Sequence, residues 1–168
     1  MYHEVCGDRP EACAWILEHA LANRCRFSLV WRDQLTFGAS ALEIAETLKP
    51  SLLSEIRTDR WPGTTLWETM ATVRLYGMNS DSFACVSRVP RLFQWRAPDL
   101  PEDLAIYDSD GTCCVACISH EHVAWIDLAS PTLNELRSPG PLFEWTGRTA
   151  DTGFPSVGEL MANHTPAD

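Results

Sequence analysis

Leu104-Ala105-Ile106-Tyr107-Asp108-Ser109-Asp110-Gly111-Thr112-Cys113-Cys114-Val115-Ala116-Cys117-Ile118-Ser119 is the stretch that decides the fold of this chain. Two apolar runs of strand length flank a polar turn that closes on Asp-Gly, a strong short-range hairpin signal. His120-Glu121 then breaks the pattern, and 122–128 supplies a third strand. Three neighbouring strands joined by short turns form an antiparallel meander. Beyond it, Ser130-Pro131 opens a helix, since proline is tolerated at a helix start. Glycine and proline dominate from Ser138 onward, and about 155–168 reads as a poorly ordered tail.

Upstream of the meander the helical period of 3.6 takes over. Trp15, Ile16, Ala20 and Leu21 recur on one face of a helix over 11–24, with Pro10 just ahead of it. Aromatic and β-branched residues over 26–31 predict a strand. Ser40-Ala41-Leu42-Glu43 offers a capping box, with Leu42, Ala45 and Leu48 as the apolar stripe that follows. Pro50 stops that helix, and a second short one is expected over 51–57. The turn Trp61-Pro62-Gly63-Thr64 leads into helix or irregular chain through Trp67 and Met70. Strands are expected over 72–76 and 91–95, with a capped helix over 80–86 between them. The fold class is therefore α+β: one domain over 1–168, N-terminal helices packed on a mostly antiparallel sheet that ends in the C-terminal meander.

The same region carries the charge. The 168 residues have a formal net charge of -10, and 97–136 holds eight carboxylates without one lysine or arginine. A chain so acidic lacks the basic footprint that nucleic acid requires, and it is equally unsuited to an anionic membrane surface. No apolar run reaches the roughly 20 residues of a membrane span, and 1–10 lacks the apolar core of a signal peptide. A cytoplasmic protein follows as the expectation. The compatible partner is basic, and an acidic face would steer it electrostatically. Asp99, Glu102, Asp103, Asp108, Asp110 and Glu121 are the candidate contacts. The prolines of Pro98-Asp99-Leu100-Pro101-Glu102-Asp103 would hold the first three on a rigid loop.

Seven cysteines is an odd count, and several lie in apolar segments, which fits reduced, buried thiols better than a disulfide framework. Cys113, Cys114, Cys117, His120 and His122 form the one dense group of possible metal ligands. A regular strand divides them, because Cys113 and Cys117 face one side while Cys114 and His120 face the other. Only a bulge or an early turn would unite Cys114, Cys117, His120 and His122 as a zinc site or a small catalytic centre, so no metal and no cofactor is the primary expectation. Seven tryptophans are many for this length. Trp15 and Trp31 read as core, whereas Trp95 or Trp125 could serve as an apolar anchor for a partner.

No glycine-rich phosphate loop, nucleophile elbow, dinucleotide fingerprint or metalloprotease helix occurs, so the chain is not expected to be an enzyme. In size, charge and composition it resembles the small acidic immunity proteins and antitoxins of bacteria. That resemblance implies an inhibitor that blocks a basic toxin, for example a nuclease, through its acidic face.

Overall fold

The computed structural model describes residues 1–127, 143–151 and 153–162. Ten strands and four helices are defined there: β1 (Tyr2–Asp8), α1 (Pro10–Ala22), β2 (Arg26–Arg32), α2 (Ala39–Leu48), β3 (Leu52–Thr58), β4 (Arg60–Trp61), β5 (Thr64–Thr65), β6 (Ala71–Gly77), α3 (Ser80–Val86), β7 (Glu102–Tyr107), β8 (Cys113–Ile118), β9 (Val123–Asp127), β10 (Phe143–Ala150) and α4 (Val157–Ala162). Eight strands make one sheet in the order β10-β1-β9-β8-β7-β2-β6-β3, and β4 pairs with β5 as a separate ribbon. Every neighbouring pair in the large sheet is antiparallel. The architecture is a single α+β domain, and the meander β7-β8-β9 lies in its middle. It fills the gap between β1 and β2, which α1 connects in sequence.

The sheet is covered on both faces. Val5, Phe27, Leu29, Leu104, Ile106, Val115 and Ile126 share one core with the buried side of α1 (Ala12, Cys13, Ile16, Leu17, Ala20) and with residues of α2 and α3. Val30, Val73, Ala105, Tyr107 and Ala116 face the other way, onto Trp61 and the α4 residues Val157 and Leu160. Inward-facing residues thus alternate along β2 and β7 as a two-sided sheet demands. Strands buried on both faces read as continuous apolar runs, which is why all six residues of β8 are buried.

Of the register irregularities in the sheet, those in β7 and β8 shape the site. Opposite Ser28 and Val30, β7 uses Ala105 and Glu102, so it contains one extra residue; Asp103 takes that position with φ +52°. Opposite Ile106 and Tyr107, β8 uses Val115 and Cys113, and Cys114 is the extra residue.

Several expectations change. Residues 51–57 form the edge strand β3 rather than a helix, because Ile56 and Thr58 alternate inward once Pro50 has ended α2 in a 3-10 turn. Residues 91–95 are not a strand: Leu92–Gln94 is a 3-10 turn that drops Leu92, Phe93 and Trp95 into the core. The helix start at Ser40 lies one residue earlier, behind Gly38, without a side-chain cap, and Leu42 is 56% exposed while Ala41 and Leu48 are buried. α3 carries a capping box, built by Asn79 and Ser82. β1, the β4–β5 ribbon and β10 were not anticipated, and α4 falls within the expected tail. The helix expected at Ser130-Pro131 lies outside the described residues. Among those described, no helix is long and apolar enough to cross a membrane.

Candidate functional site

The acidic stretch does not form one face. Asp99, Glu102 and Asp103 precede or begin β7, whereas Asp108 and Asp110 follow its end. Six strand residues at about 3.3 Å each hold the two groups well apart.

Glu102 and Asp103 are 5% and 1% exposed, so neither can meet a partner from where it sits. The bulge at Asp103 turns both carboxylates onto Arg32. Arg32 Nε lies 2.6 Å from Glu102 Oε2, and its Nη2 lies 3.4 Å from Asp103 Oδ2. Trp61 Nε1 donates to Asp103 Oδ2 at 2.9 Å, and the Ser119 backbone N–H donates to Oδ1 at 2.8 Å. The guanidinium also stacks over the Trp61 ring at 5.1 Å. Burial pushes the Glu102 carboxyl up, opposed by the Arg32 charge. These groups tie β2, β7, the end of β8 and the β4–β5 ribbon together through buried ion pairs and hydrogen bonds.

Asp108 and Asp110 occupy the tip of the β7–β8 hairpin. Gly111 closes the turn at φ +92°, and the Thr112 N–H lies 2.9 Å from both Asp108 Oδ1 and Asp110 Oδ1. Burial and the neighbouring Asp110 carboxylate raise Asp108 to about 6, while the hydrogen bonds from Asp108 and Thr112 lower Asp110 to about 2. The pair therefore holds one proton between them over the intervening range. Among the described residues no arginine or lysine lies within ion-pair distance of either. The Gly111 carbonyl accepts the Val157 N–H at 3.0 Å, which docks the segment leading into α4 against the tip. That segment also lines a hollow of about 470 Å³ with Trp61, Trp125, Phe154 and Pro155. Trp125 is half-buried there, its ring 6.2 Å from Phe154. Trp95, by contrast, is 0% exposed and is core. Trp15 and Trp31 are half-buried rather than enclosed, Trp15 stacked on His19 at 3.6 Å and Trp31 against Phe37 at 4.7 Å.

At the other end of β8 the chain turns through Ser119–Glu121, leaving His120, Glu121 and His122 exposed, with His120 Nε2 3.7 Å from Glu121 Oε1. Asp99 is exposed at the same end. The bulge at Cys114 brings Cys114 and Cys117 to the helix-covered face, but into the apolar core, away from the exposed histidines. No group of three or more metal-ligating side chains converges among the described residues. Burial raises the thiols of Cys113, Cys114 and Cys117 far above the range in which a thiolate forms. Cys114 Sγ instead donates to the Ile106 carbonyl at 3.3 Å. None of the seven cysteines is in a disulfide, and only Cys6 is exposed.

A groove at the 88–100 loop escaped the sequence reading. It measures about 890 Å³ and runs along the 88–100 loop between the β1 end and His122. Arg88, Arg91 and Arg96 line it, a spacing visible in the sequence but overshadowed there by the net negative charge.

Comparison with known proteins adds no identity: no family model, no curated protein and no solved structure matches this chain.

Proposed function

We propose that this chain is a non-catalytic binding protein of the immunity or antitoxin kind, acting in the cytoplasm on a basic protein partner. The observation that carries the reading is the Asp108–Asp110 pair. Two carboxylates share a hairpin tip with no arginine or lysine within ion-pair distance among the described residues, and burial together with the neighbouring Asp110 carboxylate raises the affinity of Asp108 for a proton. An incoming arginine or lysine would replace that proton and relieve the repulsion. Trp125 and Phe154, across the segment docked on Gly111, offer an apolar anchor next to the charged tip. Asp99 and Glu121, at the far end of the hairpin, remain available as a second contact. Glu102 and Asp103 are withdrawn from the contact set because Arg32, Trp61 and Ser119 occupy them. Six buried cysteines outside any disulfide suit a reducing compartment.

The test is affinity capture at low salt from the native host, followed by co-expression of any stoichiometric basic partner. A partner that is toxic alone and harmless with this chain supports the reading. Asp108→Asn/Asp110→Asn should then slow association at low ionic strength and leave it nearly unchanged at high salt. Equal association rates for both proteins at every ionic strength would refute the acidic-tip contact.

A further inference from the structure

The 88–100 groove gathers three arginines, Arg88, Arg91 and Arg96, in a lining that also holds the carboxylates of Asp8, Asp99 and Glu144. Arg32, Arg57, Arg74 and Arg148 are each ion-paired with a carboxylate. Arg88, Arg91 and Arg96 are exposed, line one groove, and have no carboxylate within ion-pair distance among the described residues. Three guanidiniums within nine residues line this one groove, and together they could give a bound anion several charge-assisted hydrogen bonds.

The loop that presents them is anchored. The buried Asp8 carboxylate accepts the Leu92 N–H at 2.8 Å, and Arg91 Nη1 donates to the Asp8 carbonyl at 2.9 Å. Arg96 Nη1 lies 3.4 Å from His122 Nε2, and the His122 backbone is held at φ +54°, which sets its ring 6.0 Å from Phe93. The guanidiniums thus project from a preorganised frame, which lowers the ordering cost of binding. A volume of about 890 Å³ suits a small molecule. Asp99 and Glu144 also line the groove, so a polyanion such as nucleic acid is disfavoured there and by the net charge of -10.

We infer that this groove binds a small phosphorylated molecule, its phosphate held by the Arg88, Arg91 and Arg96 guanidiniums and its remainder lying toward Asp99 and Glu144. Forked N–H donors match phosphate oxygens bidentately, which is what distinguishes arginine from lysine here. This site lies apart from the Asp108–Asp110 hairpin tip.

Isothermal titration of the full chain with O-phosphoethanolamine, inorganic phosphate and ethanolamine tests the inference. Saturable one-to-one binding of phosphoethanolamine, with none of ethanolamine, is expected. Inorganic phosphate binding as tightly identifies the free anion as sufficient; weaker binding identifies an ester. Arg88→Ala/Arg96→Ala should weaken binding by about tenfold or more, the scale of one charge-assisted pair. Both side chains are exposed, so the variant keeps its fold, which its unfolding midpoint checks. Arg24→Ala, outside the groove, should bind as the parent does. Absence of saturable binding to either phosphate compound, or equal affinity in the Arg88/Arg96 variant, would overturn the inference.

Discussion

Replacing Asp103 by asparagine isolates one oxygen of the buried network. Asparagine keeps the side-chain shape and tolerates the left-handed backbone at φ +52°. It can keep one acceptor, for either the Ser119 N–H or the Trp61 indole N–H, but not for both. Whichever way the amide turns, one buried donor loses its partner, at a cost of about 1–3 kcal/mol. Arg32 then retains only Glu102 as a counter-charge, and weakening a buried pair adds to the loss. A total of about 2–4 kcal/mol follows, which for a domain of this size lowers the melting temperature by roughly 4–16 °C. Urea unfolding followed by tryptophan fluorescence reads it as a lower midpoint at unchanged slope. Asp99→Asn, at an exposed site, should stay within about 0.5 kcal/mol of the parent. If Asp103→Asn matched Asp99→Asn, the carboxylate would not be a buried acceptor, and the account of the Arg32 network would be wrong.

Other outcomes follow from the same geometry. The Asp108 carboxyl should titrate with a midpoint near 6 by NMR, and Asp110→Asn should bring it down toward the ordinary 3.8. The sign is specific: a raised folded-state value favours the protonated form. Stability therefore falls as pH rises through 6 in the parent and stays flatter in Asp110→Asn, as paired urea titrations would reveal. Gly111→Ala should cost about 1–3 kcal/mol, since the site requires φ +92° and an added methyl meets Val157 at 3.3 Å; calorimetry checks it. A thiol reagent should label one cysteine rapidly in the native protein, Cys6, and all seven after unfolding. Rapid labelling of Cys114 or Cys117 would contradict their enclosure.

The hairpin around Asp108-Ser109-Asp110-Gly111 could be read from sequence because its information is local: two apolar runs and a turn glycine. α1 and α3 could be read for the same reason. β1 and β10 could not, since Glu4 and Asp8 interrupt the apolar pattern of one and six of the eight residues of the other are exposed. Charge gave the wrong surface for Glu102 and Asp103, because composition does not reveal that Arg32, seventy residues earlier, arrives beside them. The Cys114 bulge illustrates the limit of periodicity. It places Cys114 and Cys117 on one side, yet the surroundings are apolar, and only tertiary packing decides that. The groove was missed because Arg88, Arg91 and Arg96 belong to no motif and gain meaning only when they line one space.

The position of the meander governs the order in which this molecule can be made. β1 leaves the ribosome well before its two partners, β9 and β10, which begin at Val123 and Phe143. β2, β6 and β3 can assemble from within 26–77, and β7, β8 and β9 from within 102–127, but the opening strand must wait for both. Such long-range closure makes for slow folding. Until those partner strands have been made, Tyr2–Asp8 stays an unclaimed strand, the segment a chaperone would meet and a neighbouring chain could capture.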